Sequence, residues 1–384
     1  MVKAVRRGKS VRAIARLFRV SPPTVQRWVE KATAQSLDRV SFESASRAPK
    51  RVANRTSFEV EQTVLSIRNQ LKQESALGEF GALAIRREMQ SRNLSGLPSL
   101  RTIGRILERG GALDGRRRVR RRPPPKGWYL QEVARQKAEL DEFDFVQGLA
   151  IRGKADLEVF NVVSLHGCLV GSFPDHPYDT ESAIAAILSH WREVGLPNYA
   201  QFDNDNRFSG PHQHPNSIGR IIRLCLSLGV VPVFAPPREH GLQNGIESYN
   251  GLWQAKVWCR FEYESLEQVQ AQSRRYVEAS RKRKAARIEA APTRRKFPSQ
   301  WQRSDKAGVR GRIIYIRRTD DKGHLLVLGN KIEVSANWKH RLIRCEIDID
   351  QKQMGFYALS RSDPNNQPLL RRTPYELPRR YLKG

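Results

Sequence analysis

The sequence predicts a multidomain protein: α-helical N-terminal helix-turn-helix domains, a central α/β domain on a mixed sheet, and a small C-terminal β-barrel. Three observations lead there. Apolar residues recur at helical spacing up to about residue 110, alternate between strand and helix patterns over 138–270, and are strand-like beyond 308. Charge divides along the same boundaries. Residues 138–270 hold nine Lys and Arg against seventeen Asp and Glu, a net of −8 in a chain of net +29, so the flanks carry +37. Finally, Asp144, Asp203 and Glu247 each stand where a strand-like run ends or a helix-like one begins, inside that acidic block.

Residues 1–56 are expected as a first helix-turn-helix domain. Ser10 can cap a helix with Val11, Ile14, Ala15 and Phe18 at helical spacing, and Ser21-Pro22 supplies an N-cap and a first-turn proline for the next. Val25, Trp28 and Val29 form the buried stripe of that second helix. Thr24, Gln26, Arg27 and Lys31 then face outward, where a recognition helix meets the major groove. Length, cap, turn and basic face together favour DNA binding over an ordinary helical hairpin. Residues 57–110 repeat the pattern, with Phe58, Val60, Val64, Ile67 and Leu71 on one helix and Ala82, Ile85 and Met89 on another. After Pro98-Ser99, Leu100, Ile103, Ile106 and Leu107 face inward and Arg101, Thr102 and Arg105 outward. Two such units in tandem would clamp a long DNA site.

Residues 111–137 read as a basic linker. Arg116, Arg117, Arg118, Arg120, Arg121 and Arg122 cannot pack a core, and the three prolines that follow keep the chain extended. Such a tether suits the backbone or minor groove of DNA. Over 138–270, E-F-D-F-V-Q-G-L-A-I, L-E-V-F-N-V-V-S-L and C-L-V-G-S-F predict an antiparallel meander, followed by a helix over 179–194 with Ile184, Ile187, Leu188 and Trp191 on one face. Y-A-Q-F is a short strand ending at Asp203, 217–228 is helical, V-V-P-V-F-A is a strand, and G-I-E-S-Y-N opens a helix bearing Glu247. Residues 271–307, with twelve Lys and Arg against three acids, predict a basic helical arm. Short strands separated by turn signals over 308–384 predict a barrel of roughly five strands.

Three acids brought together repel unless a cation neutralises them, and carboxylate oxygens suit Mg²⁺ or Mn²⁺. A chain this basic has a polyanion for a partner, and a protein that is merely basic, ribosome-like or membrane-surface, does not explain one concentrated acidic block. Phosphoryl transfer on DNA is the chemistry this combination implies. At the first acid Asp141 competes with Asp144, and Phe143, Phe145 and Leu149 give Asp144 its strand context. Cys168, Cys225, Cys259 and Cys345 stand singly, which suggests neither disulfides nor zinc and fits a reducing cytosol. His212 and His214 read as loop histidines. No signal peptide and no membrane-length apolar run are apparent, so a soluble, cytoplasmic protein is expected.

The central block resembles the ribonuclease H-like catalytic core of DDE transposases and retroviral-type integrases. The flanks are similar to those of bacterial insertion-sequence transposases. In that family an acid lies on the first strand, D-N-G-x-x-F follows the fourth, and a G-x-x-E or similar motif opens the helix after the fifth. These positions fall on Asp144, on Asp203-Asn204 with Phe208, and on Glu247 with Asn250 one turn on. Asp205 stands where the motif has glycine and makes the middle acid ambiguous; the glycine before Glu247 lies two positions upstream. Forty-three residues separate Asp203 from Glu247, against about three dozen in the family, which places an insertion around S-G-P-H-Q-H-P-N.

The resemblance implies two Mg²⁺ or Mn²⁺ ions per site, about 3.5–4 Å apart, with Asp144 bridging and Asp203 and Glu247 holding one each. Water would free a 3′ hydroxyl at the element's end, and that hydroxyl would attack target DNA. The implied partners are double-stranded DNA (transposon ends and target) and further copies of the chain, at least a dimer on DNA, on a bacterial nucleoid and with no membrane. Asn204 and Asn250 are candidates for orienting the carboxylates, with helix or turn capping as the alternative. A DNA-binding regulator that kept the architecture without catalysis is the runner-up. A sequence-unspecific nuclease would not need two reading domains.

Overall fold

The structure, a computed structural model, describes residues 1–33, 35–43, 56–113, 126–151, 156–210, 215–237, 239, 241–304, 308–361 and 363–378. The arginines of 116–122, His212, His214 and the middle half of the expected insertion, residues 211–214, lie outside the described residues. The chain divides into two compact units, residues 1–61 and 62–384.

The first unit holds α1 (Val2–Arg6), α2 (Val11–Leu17) and α3 (Pro22–Lys31). Ser10 caps α2 as expected, its hydroxyl accepting from the Ala13 N–H at 3.2 Å. Ser21 instead bonds the Thr24 hydroxyl at 2.8 Å and makes no backbone cap. Ile14, Ala15 and Val25 are buried. Trp28, expected in the buried stripe, is half-buried under the Lys31 ammonium at 5.0 Å with the Phe42 ring at 5.8 Å. Phe18 is exposed. Three short helices enclose too little volume to cover every large apolar side chain.

Helices α4 (Phe58–Glu74), α5 (Ala82–Ser91) and α6 (Leu100–Arg109) pack through Val64, Ile67, Ile85, Met89, Ile103, Ile106 and Leu107. Ser99 caps α6 by accepting from the Thr102 N–H at 3.2 Å. Phe58 and Leu100, expected inward, are exposed because each opens its helix, before the first full turn reaches the core.

The rest of the chain builds one sheet between two helical layers. In chain order the elements are α7 (Gln131–Ala134), β1 (Leu140–Ala150), β2 (Asp156–Ser164), β3 (Val170–Asp175), α8 (Thr180–Val194), β4 (Tyr199–Phe202), α9 (Asn206–Ser209), α10 (Arg220–Ser227), β5 (Val231–Phe234), α11 (Asn244–Lys256), α12 (Leu266–Arg283), α13 (Ala285–Glu289), β6 (Arg312–Arg318), β7 (His324–Val327), β8 (Asn330–Glu333), β9 (Leu342–Asp348), β10 (Gln353–Ala358) and β11 (Leu369–Pro374). The strand order is β11-β10-β9-β6-β5-β4-β1-β2-β3. β1, β2 and β3 form the expected antiparallel meander, while β4, β5 and β6 run parallel beside β1. One face packs Phe143, Phe160, Phe202 and Phe234 against α8 and α10; the other packs Val146, Val159 and Val163 against α11 and α12.

The expected C-terminal barrel is corrected by this strand order. β6 continues the central sheet beside β5, and β9, β10 and β11 extend it; among the described residues no barrel closes, and only β7 and β8 pair apart. Tyr315 stacks on Phe234 at 4.9 Å, and Ile313, Ile343, Cys345 and Phe356 enter the same core. Pairing with β6 removes the open edge that β5 would otherwise present.

Within the stretch expected as linker, Trp128, Tyr129, Leu130 and Val133 are buried against Leu140, Tyr199 and Val233. The basic arm is a packed layer. Gln270 donates to the Pro174 carbonyl at 3.0 Å and Arg281 to the Val170 carbonyl at 2.8 Å, which covers edge strand β3. Arg260 donates to the Lys72 and Gln73 carbonyls at 2.7 and 3.0 Å, a cation at the C-terminal end of α4. No helix among the described residues is long and apolar enough to cross a membrane.

Candidate active site

Strand alternation places Glu142 and Asp144 on the same face of β1, opposite Phe143 and Phe145. β4 runs parallel with Glu142 level with Gln201, so the same register carried two residues on brings Asp144 level with Asp203. Neighbouring strands lie about 4.8 Å apart. Asp203 leaves the tip of β4, whereas Asp144 lies within β1 and not at its end; β1 runs on for six residues past it beside β2. The aromatic undersurface fixes this geometry: Phe143 stacks on Phe202 at 5.2 Å and Phe145 on Phe208 at 5.0 Å. Burial, the Asp203 charge and then the Glu247 charge push the Asp144 carboxyl up to about 6. Burial also raises Asp203, against the Asp205 N–H that it accepts at 2.9 Å.

Glu247 is exposed in the first turn of α11. A residue that sequence reasoning missed fixes the start of that helix. The buried Glu142 carboxylate accepts the Ile246 N–H at 2.7 Å. Burial raises Glu142 to about 8, and the Glu247 charge adds to the effect. A Cβ on Gly245 would stand 2.3 Å from the Glu142 Oε2, which explains the glycine two residues before Glu247. Gly245→Ala should therefore displace α11, at a cost of about 1–3 kcal/mol read by urea unfolding. Unchanged stability in that variant would refute the role of this close approach. The period-two pattern E-F-D was the available sign that Glu142 shares a face with Asp144.

The two asparagines have different partners. Asn250 donates to Asp144 Oδ2 at 2.8 Å and accepts from Asn161 at 2.8 Å, and Asn161 is the cross-strand neighbour of Asp144. Asn250 thus orients an acid. Asn204 donates to the Ala235 carbonyl at 2.7 Å and accepts from Arg317 at 2.8 Å, and Arg317 also donates to the Ala235 carbonyl at 3.1 Å. This clasp ties the tips of β4 and β5 to β6. Burial lowers the Arg317 guanidinium to about 10.

Both competing acids are occupied elsewhere. Asp141 is fully buried on the opposite face, where Arg294 binds it with two bonds of 2.8 and 2.7 Å and the Trp191 indole donates at 3.2 Å. Asp205 caps α9 and pairs with Arg207, which reaches Glu158 at 2.7 Å and covers the Phe145 ring at 3.7 Å. Asp203 differs from Asp205 in forming no guanidinium pair among the described residues; it accepts the Asp205 N–H instead.

Among the described residues no three His, Cys, Asp or Glu side chains are gathered closely enough to hold a metal ion as they stand. Asp144, Asp203 and Glu247 share one region through their charges, but Asp144 is turned toward Asn250 and Asp203 toward the Asp205 N–H. Of the expected DNA-binding residues, Gln26, Arg27, Lys31, Arg101 and Arg105 are exposed, while Thr24 and Thr102 are half-buried beside the serines with which their hydroxyls bond.

Residues 1–40 match the family model of the homeodomain-like domain. Among curated proteins no sequence matches the chain. Similar solved structures include a simian T-cell lymphotropic virus intasome in complex with PP2A regulatory subunit B56 gamma, at 10% identity and TM-score 0.34 over 69% of this chain and 84% of that one. The HTLV-2 integrase catalytic core domain in complex with magnesium is similar at 14% identity and TM-score 0.27, over 37% of this chain and 83% of that one. The BIV integrase catalytic core domain is similar at 16% identity and TM-score 0.29, over 36% of this chain and 80% of that one. TM-scores this low leave the fold to be argued from the sheet itself.

Proposed function

We propose that the chain is a DNA transposase of the DDE type, which cleaves at the ends of a mobile element and joins the freed 3′ hydroxyl to target DNA. One observation carries this reading: Asp144 lies on β1, Asp203 directly follows the tip of its parallel neighbour β4, and Glu247 opens the helix whose N-terminus is anchored to the same face. The donor set fits a hard divalent cation, because a positive charge would relieve the crowding that raises Asp144. Asp144, Asp203 and Glu247 would hold Mg²⁺ or Mn²⁺, which supplies charge neutralisation at the phosphate and a more acidic attacking hydroxyl. The remaining work belongs to the chain. Asn250 and Asn161 hold Asp144 in place, Glu142 holds the start of α11, and the Arg317 clasp holds the loop that follows Asp203. The helical flanks, with Arg27, Lys31, Arg101 and Arg105 outward, would bind the element's ends.

Strand transfer by the purified full-length chain, with Mg²⁺ and a duplex carrying the element's own end, tests the proposal. DNA binding without transfer under either Mg²⁺ or Mn²⁺ would leave the non-catalytic regulator as the better reading. The Asn250 bond favours ionised Asp144, so Asn250→Ala should move the acidic limb of the pH–rate profile to higher pH. An unmoved limb would show that Asn250 does not tune the acid. Replacing the six arginines of 116–122 with Gln should weaken binding to all DNA sequences. For every phosphate these arginines no longer neutralise, the slope of log affinity against log salt should fall by about 0.9; an unchanged slope removes the tether from DNA.

A further inference from the structure

We propose that a pocket beside the candidate site binds one unpaired nucleotide of a DNA strand, an inference that rests on the strand chemistry proposed above. The pocket, of about 380 Å³, opens where the loop ahead of α11 meets the sheet extension, between Trp128, Leu242, Arg318, Trp338, Arg341 and Arg361. Its place follows from the strand order. β4, β5 and β6 run parallel, so Asp203 and Arg318 lie at the same end of the sheet, two strands apart. That is roughly 10 Å. Alternation puts Arg318 with Ile314 and Ile316, on the face that carries Leu140 and Tyr199 and therefore Glu142 and Gln201. The Leu242 carbonyl accepts from the Gln201 amide at 2.8 Å and from the Tyr129 hydroxyl at 3.2 Å. The pocket floor is thereby pinned to the strand that delivers Asp203.

The lining suits a nucleotide in three respects. Arg318, Arg341 and Arg361 face one carboxylate, Glu239, which Arg318 pairs, so the pocket keeps positive charge for an anion. Guanidinium forks match phosphate oxygens. The Trp338 ring is fixed by its indole N–H donating to the Leu342 carbonyl at 3.1 Å, and the Arg341 guanidinium lies over it at 4.6 Å. Planar indole and guanidinium surfaces stack nucleobases with little regard to sequence. The volume is near the lower end of small-molecule sites, about 300–1,000 Å³, which admits a single nucleotide and excludes a base pair. A strand whose backbone passes Asp203 would reach the pocket within one or two nucleotides.

The test uses full-length protein in EDTA with two probes, a short single-stranded oligothymidylate and a blunt duplex of equal length. Arg341→Glu combined with Arg361→Glu, both exposed positions, should weaken the single strand at least tenfold and lower its salt slope by about 1.4, as expected for two phosphates. Duplex binding should change less than threefold. Trp338→Phe should reduce the fluorescence quenching that the single strand produces. Unchanged single-strand affinity overturns the proposal, as does an equal loss for both probes, which would mark a general basic surface. Thymidine monophosphate quenching at the concentration where the strand does would overturn the strand assignment in favour of a free nucleotide. Binding in EDTA is read apart from strand transfer, so the pocket and the proposed chemistry can fail separately.

Discussion

Asp203→Asn should abolish both strand cleavage and joining while DNA affinity stays within about threefold. The substitution removes a carboxylate whose charge Asp144 feels and leaves every exposed arginine of the helical flanks in place. Loss of several kcal/mol of transition-state charge stabilisation corresponds to at least about 10³-fold in rate. Asp205 provides the contrast. Its carboxylate caps α9 and pairs with Arg207, and Arg207 keeps Glu158 when Asp205 is removed. Asp205→Gly should therefore cost a few tenths of a kcal/mol through the lost cap and at most about 1 kcal/mol through the lost Arg207 pair, and retain substantial activity. A Mg²⁺-dependent strand-transfer assay on both variants decides between them. Active Asp203→Asn beside inactive Asp205→Gly would move the site by two residues.

The second large effect is on stability. Arg294→Met strands Asp141, fully buried, without its guanidinium, and should cost about 3–5 kcal/mol. Burial acts to raise the Asp141 carboxyl, and the two-bond pairing with Arg294 outweighs it, so the folded pKa lies below the ordinary value. That pair's contribution is present above the unfolded carboxylate range and is lost as pH falls through the depressed value. In Arg294→Met burial, the largest influence on Asp141, outweighs the remaining Trp191 bond and the sign reverses, so the loss should be larger at pH 8 than at pH 4, where Asp141 can fold protonated. Urea unfolding at the two pH values measures it. Equal losses at both would show that the buried charge is not the cause. Adding Asp141→Asn should recover most of the stability and leave activity in place, which separates this acid from Asp144.

The N-terminal helices were readable because their signals are local. Ser10 and Ser99 cap within three residues, and Ile14, Val25, Ile103 and Ile106 repeat at helical spacing. The meander of β1, β2 and β3 was readable for the same reason, since its strands are sequential neighbours. The pairing of β6 was not. A strand of alternating apolar residues reads the same whether it closes a small barrel or extends a larger sheet, and the partner that decided the matter, β5, lies about eighty residues earlier.

At the candidate site the same division holds, residue by residue. The three local contexts were legible in the chain alone: Asp144 in a strand, Asp203 at a strand tip, and Glu247 at a helix start. So was the contrast between an acidic block and basic flanks, because charge and period are properties of short stretches of chain. Which acids near the site already have partners depended on the assembled sheet. Asp141 is matched by Arg294, 153 residues away, and Glu142 by the N–H of Ile246, 104 residues away. The folded chain likewise showed that several arginines of the basic arm bind carbonyls and carboxylates of their own chain. The free energy of a buried charge depends on what desolvates and what faces it. For these residues both are supplied by segments distant in sequence and adjacent only after the sheet has formed.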